Sequence, residues 1–359
     1  MNPPMIYDLD LPDLARLLES WGEPAYRARQ VWQGLYHAFH ASPAEFTTLP
    51  ASLRQKLAEA FRFQVLAPMT VLESSDRQTI KTLFRLDDER AIEAVLMRYD
   101  KRRTLCISTQ VGCAMGCAFC ATGQMGFGRH LSSGEIVAQV MHYARLLHAT
   151  GETVTNVVVM GMGEPFHNYE NTLAAIDRLN DADGYNFGAR RFTISTVGLV
   201  PMIRRFAQEQ RQVNLAISLH AADDALRLSM MPVTKKYSID EILAACQEYV
   251  AATGRRVTFE WALIREVNDT PEQARLLAHK LKGLLCHVNV IPLNPTDGFA
   301  GQATTRERAE AFQASLEANG IPCTIRLRRG IDIQAGCGQL ASRAAVKTPT
   351  PADAGRDIP

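Results

Sequence analysis

Three cysteines, Cys113, Cys117 and Cys120, fall within eight residues, and an aromatic residue, Phe119, precedes the last of them. Thiolates are soft ligands that suit iron–sulfur clusters or zinc. A closed site of either kind ordinarily takes four protein ligands. The local set here is three, so unless a distant residue completes it, one corner of a bound metal group stays open to something that reacts. Other polar groups recur where apolar runs stop. Gly161-Met162-Gly163-Glu164-Pro165 follows the run 156–160. Its glycines let the backbone approach a ligand closely, and the Glu164 carboxylate suits an ammonium group, although a lone Gly-x-Gly is more often just a tight turn. Ser195-Thr196 and Ser218-Leu219-His220-Ala221 close two further runs, where hydroxyls and an imidazole can hold ribose and carboxylate groups. Asn294, in Ile-Pro-Leu-Asn-Pro, offers both a donor and an acceptor. A single His or Asn is usually structural; three such run ends in one fold carry more weight. Cys106 lies just ahead of the cysteine loop. Cys337 stands between Gly336 and Gly338, which predicts a mobile, accessible thiol. Cys246, Cys286 and Cys323 sit in apolar contexts and read as core, where free cysteine is common.

The elements that must position these groups change character along the chain. Helical stripes open it: Leu14, Leu17, Leu18 and Trp21; then Ala28, Val31, Trp32, Leu35 and Phe39; then Leu53, Leu57, Ala60 and Phe61. They predict a small helical domain over 1–63. A β extension over 64–98 follows, with strands at 79–86 and 91–99 about a polar turn. Alternation puts Ala91, Glu93, Val95 and Met97 on one face. An acid there is either an edge-strand charge that discourages pairing or a carboxylate facing a cavity. From 99 to 330 the pattern becomes strand, helix, strand, helix. A strand at 104–108 delivers the cysteine loop. Ser132-Ser133-Gly134-Glu135 is a capping box opening a helix to about His148. Strands at 156–160, 191–195, 214–218, 257–263 and 287–292 come next, with helical segments such as 171–179 between them. Six such units predict an α/β fold, a parallel sheet curled into a partial (β/α)6 barrel with the N-terminal helices and a short antiparallel β extension attached. In barrels chemistry gathers at the C-terminal strand ends, where the motifs above fall. Residues 331–345 form the Cys337 loop and the end of the fold. The Pro-rich, polar tail 346–359 is expected to be disordered.

Composition limits the class. The chain has 359 residues, 47% of them apolar, room for one large domain or a large and a small one. No apolar run approaches a bilayer span, and the first residues lack the basic and apolar regions of a signal peptide. A cytoplasmic protein with no membrane partner is expected, in which eight cysteines serve as ligands or reactive thiols rather than as a disulfide framework. The net charge of +1 does not announce nucleic acid, but basic groups occur at 101–103, 190–191, 235–236, 255–256 and 326–329. Each alone reads as a solvated element end.

The cysteine spacing, with an aromatic before the third, resembles the radical S-adenosylmethionine (SAM) superfamily. That resemblance implies a [4Fe–4S] cluster on Cys113, Cys117 and Cys120, with SAM on the remaining iron and its amino group against a Gly-Glu-Pro loop. Cys106, Met-Gly-Met-Gly-Glu-Pro, Ser-Leu-His-Ala and Ala-Gly-Cys-Gly-Gln-Leu together resemble the RlmN/Cfr family of radical-SAM RNA methyltransferases, from about residue 93 to 340. The N-terminal helices look like that family's accessory, RNA-binding domain. Gly336 stands where the family often has alanine, which should loosen the loop. The resemblance implies SAM contacts at Gly163, Glu164, Ser195, Ser218, Leu219, His220 and Asn294, and catalytic roles for Glu93, Cys106 and Cys337. The implied reaction methylates carbon 2 of an adenine in 23S rRNA, and of the adenine beside the anticodon in some tRNAs. It uses two SAM molecules, an S-methylated Cys337, Glu93 as base, and a transient disulfide between Cys337 and Cys106. A flavodoxin-like electron donor and a thioredoxin-like reductant are implied as partners, and a monomer is expected. Two other readings stay open: methylation of carbon 8, as in the Cfr branch, and a non-catalytic iron–sulfur or zinc RNA-binding protein, which would need neither Cys106 nor Cys337.

Overall fold

A computed structural model describes residues 3–64, 66–326 and 328–341. The expected tail and residues 342–345 lie outside the described residues. Three helices come first: α1 (Leu11–Ser20), α2 (Tyr26–Tyr36) and α3 (Ala51–Ala60). Asp10 starts α1 by accepting the Asp13 N–H at 2.7 Å, with Pro12 in the first turn. The predicted stripes face inward: Leu14, Leu18, Val31, Trp32, Leu35, Leu53 and Leu57 are all buried.

Next come β1 (Ala67–Glu73), β2 (Thr79–Arg85), β3 (Ala91–Arg98) and β4 (Arg103–Cys106), each antiparallel to the one before. The chain then forms β5 (Gln110–Gly112), a short α4 (Ala121–Gln124) and β6 (Phe127–His130). β5 and β6 pair as a separate two-stranded ribbon whose connection is the cysteine loop. Alternation follows: α5 (Ser133–His148), β7 (Asn156–Val159), α6 (Tyr169–Asn180), β8 (Phe192–Thr196), α7 (Val200–Gln208), β9 (Asn214–Ser218), α8 (Asp224–Met230), α9 (Ile239–Thr253), β10 (Val257–Leu263), α10 (Pro271–Leu281), β11 (Cys286–Pro292), α11 (Arg306–Glu317) and β12 (Cys323–Ile325). The capping box at Ser132 and Glu135 is formed as expected, and Ser238 with Glu241 makes a second one ahead of α9.

One ten-stranded sheet results, ordered β1-β2-β3-β4-β7-β8-β9-β10-β11-β12. From β4 onward the strands are parallel, giving the six expected strand–helix units and a seventh strand, β12, too short to leave a pattern. β1 also went unforeseen: Pro68 and a register irregularity between Pro68 and Thr70 break its alternation, which an edge strand tolerates. β3 is not an edge; it lies between β2 and β4, so Glu93 is not an edge-strand charge. The antiparallel strands are continuous with the parallel ones, and the N-terminal helices pack into the same core as α5 and α6. Arg145 Nε donates to the Phe39 carbonyl (3.0 Å), Arg178 to the Tyr7 carbonyl (2.7 Å), and the Gly134 N–H to Asp8 (2.8 Å). At Gly134 a β-carbon would stand 2.7 Å from that carboxylate oxygen, so only glycine allows the approach.

Trp32 is fully buried and packs against Tyr36, with ring centroids 4.5 Å apart and the rings tilted at 50°. Because these helices share the barrel's core, Trp32→Ala should destabilise the whole fold by about 3–5 kcal/mol. Urea unfolding followed by the barrel's far-UV signal would measure it; a barrel transition left in place would show instead that the helices hold a core of their own.

Candidate active site

The cysteine loop is anchored at both ends. The Cys113 N–H donates to the Gly126 carbonyl (2.8 Å), closing the ribbon, and the Ala118 N–H donates to the carbonyl of Met230 (2.8 Å), the last residue of α8. Cys113 and Cys117 are buried and Cys120 is half-buried. All three line one cavity over the C-terminal ends of β7 to β11. They stand around its wall rather than meeting at a point: among the described residues no three thiol, imidazole or carboxylate groups come close enough to share a single ion. Desolvation pushes the Cys113 thiol up to about 12 and the Cys117 thiol well above its usual range, with neighbouring thiols adding to it. Neutral thiols in such a place gain by meeting a metal that stabilises the thiolate.

Gly163, Glu164, Ser195, Ser218, His220 and Asn294 line the same cavity. Gly163 has φ +105°, and a β-carbon there would stand 2.6 Å from Gln110, so the Gly-x-Gly turn lies tight against β5. Glu164 is buried, and desolvation raises its carboxyl to about 7. It accepts the N–H groups of Phe166 (2.9 Å) and Val197 (2.8 Å), tying the loop after β7 to the end of β8. The Ser195 and Ser218 hydroxyls lie 3.3 Å apart across neighbouring strands. His220 has φ +62°, accepts the Ala262 N–H on Nδ1 (2.9 Å) and packs edge-on against Phe119 at 4.9 Å. Desolvation and then Arg227 hold it down at about 3, so it is a neutral imidazole. Leu219 is not brought to the cavity. Its side chain is wholly buried, its N–H donates to Glu260 (3.1 Å) and its carbonyl accepts from Arg227. Just past the end of β9, its side chain packs into the main core, while Ser218 and His220 on either side line the cavity.

Cys337 lies in the wall between this cavity and a second, smaller one, which Cys106 also lines. Cys337 is exposed through the mouth, though walled by enough protein to push its thiol up; Arg326 opposes that shift. Cys106, more enclosed, is pushed to about 12 by desolvation and by Cys337 itself. All eight cysteines are free, so the Cys106–Cys337 disulfide expected from the sequence is not formed here. Cys246, Cys286 and Cys323 are buried in the core as read. The Cys337 loop is tied to the cysteine loop and to Asn294 by hydrogen bonds. The Ala121 N–H donates to Gly338 (2.7 Å), Asn294 Nδ2 to the Cys337 carbonyl (3.1 Å) and Thr122 to Leu340 (2.6 Å). Gly336, expected to loosen the loop, instead admits Asn294: a β-carbon would stand 2.6 Å from its Nδ2.

Glu93 is buried at 2% exposure and lines neither cavity. It pairs with Lys81 at 3.1 Å and accepts the Ala341 N–H at 2.9 Å, while Lys81 also donates to the Gln334 carbonyl (3.2 Å). The pair therefore grips the Cys337 loop on both sides. Sequence reading missed Lys81 and also Glu260, whose place inside an otherwise apolar strand was the available signal. Glu260 lines the thiol cavity, with Oε1 accepting from Asn289 (2.9 Å) and Oε2 without a hydrogen bond, 3.7 Å from Arg326. Asn294 Oδ1 is likewise buried without a partner. Vacant acceptors and two carboxylates beside three thiols fit a cationic, amine-bearing ligand held at a metal group.

The matches with known proteins agree with this geometry. Residues 107–278 match the radical SAM superfamily, and residues 5–62 match the ribosomal RNA large subunit methyltransferase N-terminal domain. A crystal structure of a radical SAM methyltransferase from Sphaerobacter thermophilus has a TM-score of 0.93 to this one at 50% identity, covering 95% of this chain and 100% of that one. Fold and site thus define a radical SAM methyltransferase, a class that implies SAM and an iron–sulfur cluster. Dual-specificity RNA methyltransferase RlmN 1 of Myxococcus xanthus is 51% identical over 335 residues, 93% of each chain. The probable dual-specificity RNA methyltransferase RlmN of Chloroflexus aurantiacus is 49% identical over 357 residues, covering 96% of this chain and 95% of that one. The chain belongs to the RlmN family of dual-specificity RNA methyltransferases.

Two side chains behind the strand ends give tests. Arg227 is wholly buried, and its guanidinium donates to the carbonyls of Val197 (2.6 Å), Ser218 (3.2 Å) and Leu219 (3.1 Å) and to the Thr234 hydroxyl (3.0 Å). Arg227→Met strands those acceptors and should cost about 3 kcal/mol in urea unfolding; a cost under about 1 kcal/mol would mean the strand ends hold without it. His220 is kept far below its ordinary 6.5. A base depressed by folding contributes stability that is whole above the unfolded value and lost as pH falls toward the folded one. Melting temperature should therefore fall from about pH 6.5 downward, and less steeply in His220→Asn, whose amide oxygen can still accept the Ala262 N–H. Parallel pH profiles for the two proteins would count against the assignment.

Proposed function

We propose that the protein methylates carbon 2 of an adenine in 23S rRNA and, with dual specificity, of the adenine beside the anticodon in some tRNAs, acting in the cytoplasm as a monomer. The observation that carries the reading is the placement of Cys337 in the wall between the three-thiol cavity and the cavity of Cys106. A non-catalytic RNA-binding protein has no use for two reactive thiols there. In this reading the helices over 1–63 contact RNA, residues 64–98 extend the sheet, 99–330 are the catalytic core and 331–345 carry the methyl-bearing loop.

Cys113, Cys117 and Cys120 would hold a [4Fe–4S] cluster, thiols set around a wall suiting separate iron corners. Gly163, Glu164, Ser195, Ser218, His220 and Asn294 would hold SAM, and of Leu219 only the backbone is suited to take part. When bound, cluster and SAM supply an electron, a methyl group and a hydrogen-abstracting radical, none of which protein side chains can furnish. The chain's own residues do the rest. Cys337, exposed to the shared wall, carries the methyl group on sulfur and presents its carbon to the adenine ring. Glu93 takes the ring proton; to do so it must leave Lys81 and the Ala341 N–H, so that step is coupled to movement of the Cys337 loop. Cys106, whose thiol is kept protonated at rest by burial, then gives up its proton and attacks the Cys337 sulfur. The S–C electron pair goes to the departing carbon, which takes up a proton and becomes the methyl group. The two sulfurs stay joined until a dithiol reductant of the thioredoxin type separates them. A one-electron donor such as flavodoxin serves the cluster.

The two thiols should fail differently. Cys337→Ala should leave a reducible cluster and abolish methyl transfer. Cys106→Ala should run to the covalent stage and stop, leaving protein joined to RNA through Cys337. A denaturing gel before and after nuclease reads this out. A nuclease-sensitive shift that disappears in the double variant is expected, whereas methylated RNA from Cys106→Ala with no shift would overturn the scheme.

A further inference from the structure

A third space adjoins the catalytic cavities at the other end of the barrel. This open basin lies at the N-terminal ends of β7 to β12 and shares Tyr99, Val158, Met160 and Arg326 with the Cys106–Cys337 cavity. Its lining carries five arginines, Arg102, Arg190, Arg255, Arg256 and Arg326, against one carboxylate, Glu260, a balance of five minus one, or +4. Glu260 lies at the inner end, beside Arg326. His287, also in the lining, is kept below its ordinary range by desolvation and then by Arg256.

The four outer arginines differ from most others in the chain. Arg204, Arg205, Arg211 and Arg308 each meet a carboxylate. Among the described residues Arg102, Arg190, Arg255 and Arg256 form no such pair. Arg190 and Arg255 instead converge on one neutral oxygen, Gln212 Oε1, at 3.2 and 3.1 Å, and Arg255 also donates to Asn214 Oδ1 (2.7 Å). Arg102 lies over the Tyr99 ring at 5.0 Å. Amide oxygens and an aromatic face hold the guanidiniums in place without neutralising them. Like charges gathered in a concave surface focus a positive potential, and guanidinium forks match phosphate oxygens. The basic pairs at 190–191 and 255–256, far apart in sequence, become one site only because β8 and β10 flank β9. Lys236, by contrast, borders a separate apolar groove with Met115 and Pro232.

We propose that this basin is a phosphodiester-binding entrance: Arg190, Arg255 and Arg256 grip the RNA backbone beside the nucleotide that passes Met160 and Arg326 to reach Cys337. The inference rests on the RNA reading above and adds to it the face of the barrel from which RNA enters. Each arginine that neutralises a phosphate of a single strand adds about 0.7 to the steepness with which log affinity falls against log salt.

The test measures binding of a fluorescent RNA hairpin bearing an unpaired adenosine, by anisotropy across a potassium chloride series. A peptide nucleic acid of the same base sequence, uncharged along its backbone, is the second probe. The Arg190→Gln, Arg255→Gln double variant should bind RNA about tenfold more weakly at low salt and flatten the slope by about 1.4. Peptide nucleic acid binding should not change. Arg190→Lys, Arg255→Lys should restore most of the slope, because charge rather than fork geometry sets it. Arg306→Gln, at an exposed arginine paired within α11, should match wild type. Should the double Gln variant fail to fold, Arg256→Gln, whose side chain is exposed with no hydrogen bond to lose, carries the test with a slope change of about 0.7. A folded variant with unchanged affinity and slope overturns the entrance. Mass spectrometry of the RNA keeps the readings apart. If wild type methylates adenine while the slopes coincide, the entrance fails and the activity stands. If the slopes separate while no methyl is transferred, the activity fails and the phosphate site stands.

Discussion

The structure depends on a few hydrogen bonds that bring the end of the chain back over the cysteine loop. The Ala121 N–H reaches Gly338, Asn294 reaches the Cys337 carbonyl, and Thr122 reaches Leu340. Without these contacts Cys337 would sit on a free segment, more than two hundred residues from the three cysteines it must serve. With them, one sulfur borders two cavities at once. The contacts use backbone carbonyls, short side chains and a glycine that leaves room for Asn294, so the loop is fixed by many small interactions. Several modest hydrogen bonds can be exchanged one at a time, which suits a segment whose sulfur must face different groups in turn.

Buried charge is the second organising constraint. Lys81 and Glu93 form an ion pair beneath the loop and spend their remaining valences on loop backbone groups. A buried pair contributes little net stability, yet breaking it exposes an uncompensated charge. It therefore behaves as a latch that defines one loop position. Arg227 does comparable work at the strand ends, where its guanidinium gathers the Val197 carbonyl just past β8 and the Ser218 carbonyl at the end of β9. Glu164 joins the β7 and β8 ends in the same way from the acidic side.

The open barrel puts these devices to use. Seven parallel strands stand side by side without closing, flanked on one edge by three antiparallel strands. Inward-facing residues of one strand can then serve different spaces along its length. On β10, Thr258 faces the arginine basin, Glu260 faces both it and the thiol cavity, and Ala262 faces the thiol cavity alone. The N-terminal helices close one flank through a common core with α5 and α6.

What the sequence determined by itself was whatever local spacing carries. The cysteine triplet, the Gly-Met-Gly-Glu-Pro turn, the capping box at Ser132 and the strands at 214–218 and 257–263 each have their cause within a few neighbouring residues, and all were legible. Short or irregular elements were not: β12 has three residues, and Pro68 interrupts β1. What only the tertiary structure decided was which residues meet. Glu93 was legible as an acid on a strand face, but not as Lys81's partner, because Lys81 comes from the neighbouring strand and the groups it grips from the far end of the chain. Leu219 was read with its neighbours in Ser-Leu-His, but just past the end of β9 its side chain packs into the core. Gly336 looked like a loosened hinge until Asn294, forty residues upstream, filled the space a methyl would take. Four arginines in three basic runs became one basin only through the order of the strands. Local periodicity records propensity and facing; long-range pairing depends on register and strand order, which no short stretch of sequence contains.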